Sequence, residues 1–180
     1  MDTARNDGWR LFQAAWRRAP DTLEMALELV ALAGLGVSAG LAAYYGPRLS
    51  GRVPVHFDLA GRPDRFGGAG ALWEGVVVSL FLYGLLTAVP RLPVRWLNVP
   101  VQVTERNAAR VARAMRYGLG VLKIFLVWTF TYITWRSIAV ARGAATGLGA
   151  WFIPGLVAGG DLLLVLFIWL MWRAERAPGR

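Results

Sequence analysis

Four long apolar stretches, parted by polar and proline-punctuated segments, set the plan of this chain. Residues 23–45, 72–89, the later part of 105–140 and 151–172 are each long enough, as helices, to cross a hydrocarbon core of roughly 30 Å. The pattern predicts an all-α fold: a four-span transmembrane helix bundle with an N-terminal interfacial amphipathic helix over 8–19 and a short structured outer loop over 46–70. An inner loop over 91–104 joins spans 2 and 3. No repeat and no second domain is evident, so residues 1–180 read as a single integral membrane domain.

The flanks of these stretches carry helix punctuation. Trp9, Phe12, Ala15 and Trp16 recur at helical spacing beside Arg10, Arg17 and Arg18, as in a short helix lying among headgroups. Asp21 can cap the first span, and Glu24, three residues on, completes a capping box. Gly34, Gly36, Ser38 and Gly40 predict a close helix contact in that span. Residues 67–70 (GGAG) read as a flexible link into the second span, and Pro90 stops it. Thr104 can cap the long helix, whose basic start, at 1.5 Å per residue, should project beyond the bilayer.

Composition agrees with a membrane class: 56% of residues are hydrophobic and nine are tryptophan. The net charge of +9 comes from basic residues beside the apolar segments, which points to anionic membrane lipids and not to nucleic acid. Arg106, Arg110 and Arg113 form a juxtamembrane stripe with Arg116 near its edge, worth on the order of 1 kcal/mol per residue against an anionic leaflet, and these four are the predicted lipid contacts. Thirteen Lys and Arg flank one side of the spans and six the other. That imbalance predicts both termini in the cytoplasm, an outward-facing 46–70 loop, and residence in the bacterial inner membrane. No removed signal peptide is expected.

Ionisable groups inside a bilayer cost from about 2.5 to over 10 kcal/mol, so each needs a partner or a route to water. Glu28 and Lys123 lie at matching depths and are expected to pair. Glu74 and Arg136 should sit near the outer interface, meeting each other or the outer loop. Asp161 falls near mid-membrane, where hydrogen bonding inside the bundle is expected, or a role in proton coupling. Without cysteine, and with one histidine, there is no thiolate or multi-histidine metal site, and no cofactor is expected. No phosphate loop, H-E-x-x-H or nucleophile elbow is present, which argues against an enzyme.

The outer loop holds the most ordered signal. Val53, Val55 and Phe57 alternate with Pro54 and His56, Gly61 can take φ > 0, and Pro63 fixes φ before Asp64, which reads as two short extended segments around a turn. His56, Asp58 and Asp64 are metal-ligand types, yet one imidazole and two carboxylates make the weakest case. A structural hydrogen bond for His56 and recognition of an external ligand are the other two readings.

The order Pro54-x-His56-Phe57-x-x-x-Gly61-x-Pro63-Asp64 resembles the outer motif of the Sdp immunity-protein family of small bacterial membrane proteins. Asn98-x-Pro100 before Thr104-Glu105-x-Asn107 is similar to their second loop. The resemblance implies His56, Gly61, Pro63 and Asp64 as outer motif positions and Asn98 and Pro100 as inner ones. Its best-known members protect a bacterium against a secreted toxic peptide and hold a transcriptional repressor at the membrane, although they have more than four spans. The sequence therefore leads to a non-enzymatic protein that binds an external peptide or lipid through its outer loop. An accessory subunit of a larger membrane complex and a proton-coupled transporter using Asp161 are the alternatives.

Overall fold

The computed structural model describes residues 2–176, with side chains from Asp7 onward except that of Arg95. Five helices and one hairpin follow in order: α1 (Asp2–Trp16), α2 (Thr22–Tyr45), β1 (Val53–Phe57), β2 (Pro63–Gly67), α3 (Leu72–Ala88), α4 (Ala108–Ala141) and α5 (Phe152–Arg176). Among the described residues, four helices are long and apolar enough to cross a membrane, covering 22–48, 69–91, 108–141 and 152–176. The fold is an all-α four-span bundle, and the chain is a multi-pass membrane protein.

α4 is the central element and packs on α1, α2, α3, α5 and β1. Its contact with α2 is close because Gly34 has no side chain: a Cβ there would lie 2.8 Å from Val127 Cγ1. The gap is bridged by polar groups. Thr131 donates to the Gly34 carbonyl at 3.0 Å, and Trp128 Nε1 donates to the Val30 carbonyl at 3.1 Å. Ser38 and Thr134 meet at 3.4 Å in full burial. Gly36 and Gly40, by contrast, face open space, so only half of the predicted small-residue face is a contact.

Two apolar clusters mark the two ends of the bundle. One joins α1 to the start of α4 and the end of α5 through Phe12, Trp16, Val111, Met115, Met171 and Ala174. The apolar stripe of α1 thus meets protein rather than headgroups, and the helix begins earlier and ends at Trp16. The other cluster seats the hairpin on the bundle through Ala42, Val53, Leu72, Val76 and Ile138.

Two local expectations need correction. Thr104 does not cap α4, which starts at Ala108 with Asn107 in the cap position. Asn107 is buried and works backwards: its carbonyl oxygen accepts from the Thr104 N–H and its amide donates to the Gln102 carbonyl, both at 2.8 Å. The glycine-rich link is also ordered, with Gly67 ending β2 and Ala69–Ala71 forming a 3₁₀ turn.

Candidate functional site

The hairpin is built by local chemistry and then fastened to the bundle. β1 and β2 pair antiparallel, with Val53 opposite Gly67 and Phe57 opposite Pro63, and the register slips around His56. Asp58 shapes the turn: its Oδ1 accepts from the Ala60 and Arg62 N–H groups, each at 2.8 Å, so its role here is structural. Gly61 has φ +72°, a left-handed conformation that a side chain disfavours. Its carbonyl accepts the Leu148 N–H at 2.8 Å, which ties the turn to the α4–α5 loop. Gly147 makes that approach feasible, since a Cβ there would collide with the Gly61 carbonyl oxygen.

The same loop is held from α4. Arg136 Nε donates to the Gly147 carbonyl at 2.8 Å, and the Tyr132 hydroxyl donates to the Leu148 carbonyl at 2.7 Å. Arg136 therefore serves the loop backbone and does not meet Glu74, which is exposed and without a hydrogen-bond partner among the described residues. A main-chain acceptor is invisible to charge pairing in a sequence. Only the run of glycines around it hints at close backbone approach.

On this frame His56 Nδ1 and Asp64 Oδ1 lie 2.6 Å apart, with side chains 48% and 45% exposed. A carboxylate is an acceptor, so Nδ1 carries the proton of the bond and Nε2 of a neutral ring keeps its lone pair for another donor. Among the described residues no hydroxyl bonds to Nε2, and no three metal-ligand side chains gather anywhere. Leu59 at the turn is almost fully exposed, and Phe66 on β2 is exposed too. Pro54 is buried, and Phe57 and Pro63, which face each other across the strands, are half-buried. The arrangement is a presented donor–acceptor patch with an apolar tip.

The opposite end is a polar knot. Glu24 receives Arg116 through both carboxylate oxygens, at 2.9 and 2.8 Å, and Arg18 adds a third contact at 2.9 Å. Arg116 Nη1 also donates to the Trp16 and Arg18 carbonyls, so the guanidinium caps the C-terminal end of α1. The capping box is complete, with Asp21 and Glu24 bonding reciprocally at 3.0 Å. The Glu24 backbone N–H holds the Asp21 carboxyl below its usual range, helped by the Tyr117 hydroxyl and Arg18 against the opposing effect of burial. One step deeper, Lys123 donates to Glu28 at 2.6 Å and to Thr87 at 2.8 Å, and the Tyr83 hydroxyl donates to the other Glu28 oxygen. A cavity of about 610 Å³ opens beside these groups, bounded by Glu28, Lys123, Arg116, Arg91, Met25 and Leu86.

This knot corrects the lipid stripe. Arg116 is 11% exposed and fully engaged inside the protein, and Arg110 Nε donates to the Ala174 carbonyl at 3.3 Å. Arg106 and Arg113 remain exposed, as do Asn98 and Pro100 of the second loop. The buried polar centre of that loop is Asn107. The depth argument that pairs Glu28 with Lys123 also pairs Glu24 with Arg116 nearer the membrane edge, and that was the signal available in the sequence. Asp161 is corrected as well. It is exposed on α5, and no hydrogen bond joins it to Thr129, Thr131, Tyr132, Ser79 or Tyr83.

No curated protein and no solved structure matches this chain. The profile of a family described as a domain of unknown function (DUF1648) matches residues 33–74, which run from the middle of α2 through the hairpin to the first turn of α3.

Proposed function

We propose that this chain is a non-enzymatic protein of the bacterial cytoplasmic membrane that binds an external peptide or lipid through its hairpin, with both termini in the cytoplasm. The observation that carries the reading is the His56–Asp64 pair, held on a hairpin fastened at two places yet half exposed, with Nε2 left open. A pair needed only for folding gains little from such exposure. The excess of positive residues beside α1, the 91–116 segment and the end of α5 supports the orientation. The Pro54 to Asp64 motif order supports kinship with the Sdp immunity-like proteins, and with it a ligand arriving from outside.

The test installs a photo-crosslinking residue at Leu59, irradiates intact cells, and identifies adducts by mass spectrometry after purification in native nanodiscs. An adduct that disappears in His56→Ala and Asp64→Ala is the expected result. Adducts only to bulk phospholipid, unchanged in both variants, would sink the reading. The accessory-subunit alternative draws on one observation, the uncovered outer face of α5. A proton-coupled transporter is poorly served, because a relay needs neighbouring polar groups and Asp161 has no hydrogen-bonded partner among the described residues.

A further inference from the structure

α5 is the peripheral helix of the bundle and carries Asp161, which is exposed and has no hydrogen-bond partner among the described residues. It packs on α4 along a single face: Phe167 lies against Gly118, Gly159 against Phe125, and Met171 and Ala174 are buried. At 100° per residue, Asp161 stands nearly opposite that face, in a row with Val157, Leu164, Ile168 and Trp172, all exposed. Between Trp151 and Trp172 no other residue has a polar side chain. Asp161 falls midway between these two tryptophans, hence at mid-bilayer, where a carboxyl facing lipid is the least favourable arrangement for the group.

We propose that this face of α5 is a homodimer interface, in which two copies of the chain pack α5 against α5 and their Asp161 carboxyl groups hydrogen-bond to each other. Copies inserted the same way up carry every residue at the same depth, so a two-fold axis along the membrane normal sets Asp161 against itself. A carboxyl group is self-complementary, because a protonated one donates to an acceptor oxygen of the other. The flanking surface is apolar on both copies, and Ala158 beside Asp161 gives room for close approach. A different partner would need to bring a hydrogen-bonding group to that depth, whereas a second copy supplies the matching group already. Within the chain, the mid-span cation Lys123 is buried and taken by Glu28, so it offers Asp161 nothing.

The absence of native cysteine makes the test clean. Single cysteines at Val157, Leu164 and Ile168, at the α4-facing Leu163 and Phe167, and at the exposed Phe81 of α3 are oxidised in native membranes. Disulfide-linked dimers are expected from the first three at least tenfold above the others. Asp161→Asn, whose amide also pairs with itself, should keep the crosslinks, and Asp161→Leu should lower them at least tenfold while thermal unfolding of the purified protein stays cooperative. Equal crosslinking at Phe81, absence of dimers from the α5 row, crosslinks to a polypeptide of different mass, or an unchanged yield in Asp161→Leu would each overturn the proposal.

Discussion

The two ends of the bundle use polar chemistry in opposite ways. At the end where α1 docks, side chains bind one another: Arg116, Glu24, Arg18, Asp21 and Tyr117 form a closed set, and Glu28, Lys123, Tyr83 and Thr87 a second one. At the hairpin end, beside the apolar seat around Val53, the polar fastening is made to main-chain carbonyls, through the Leu148 N–H on Gly61 and the Arg136 guanidinium on Gly147. That division leaves His56 and Asp64 with each other and with solvent. An end whose charges are spent on packing is built to hold shape, and an end held by its main chain can offer its side chains to something else.

The largest effect should come from opening the closed end. Arg116→Met would strand Glu24, which is 8% exposed and retains only Arg18 as a cationic partner, and would release the last turn of α1. Removing one member of a buried pair costs about 3 kcal/mol. A matching fall in stability is expected in detergent unfolding. Glu24→Gln combined with Arg116→Met should recover part of it, because the double variant has no uncompensated carboxylate.

Gly147→Ala tests the hairpin end by its own means of attachment. The added methyl would collide with the Gly61 carbonyl, whose position is fixed by the turn, so the loop must move away. The expected loss is about 1–3 kcal/mol, the usual range for overpacking. It should be local: faster amide exchange over residues 53–67 and 144–150 while the first turn of α2 keeps its protection. A uniform loss across both ends would mean that the ends are not independent.

What the sequence made legible follows from how far each signal reaches along the chain. The spans, the Asp21–Glu24 box and the turn at Gly61 are local, and each is set by residues within a few positions of one another. The Glu28–Lys123 pair is distant, yet depth in a membrane reduces the search to one dimension. Arg116 escaped because its spacing with Arg110 and Arg113 suggested a surface stripe, while its partners are two carbonyls and a carboxylate about a hundred residues earlier. The outward turn of Asp161 escaped because α5 is apolar all round, so periodicity does not say which face meets α4.

Substitution of the presented pair should separate stability from recognition. His56→Ala and Asp64→Ala remove a contact between half-exposed side chains, and such pairs contribute about 0–1 kcal/mol. Both variants should unfold within about 1 kcal/mol of the parent protein and bind the hairpin's ligand weakly or not at all. If instead either one destabilised the fold as much as Arg116→Met, the pair would belong with the structural polar groups, and the contrast between the two ends would fail.

The smallest effect lies at the rim of the closed end and has a definite sign with pH. Asp21 accepts the Glu24 backbone N–H, and that bond, with the Tyr117 hydroxyl and Arg18, lowers its folded pKa below the ordinary value of 3.8. A carboxyl whose pKa is depressed by folding adds stability that is fully present above the unfolded pKa and is lost as pH falls through the folded one. Asp21→Asn keeps a competent helix cap but does not titrate. The parent should therefore unfold at a slightly higher temperature than Asp21→Asn at pH 7, and the gap should narrow on acidification below about pH 4. A gap that widened in acid would mean that the carboxylate is tolerated at the α2 cap rather than stabilised there, and the closed end would then hold through Glu24 and Arg116 alone.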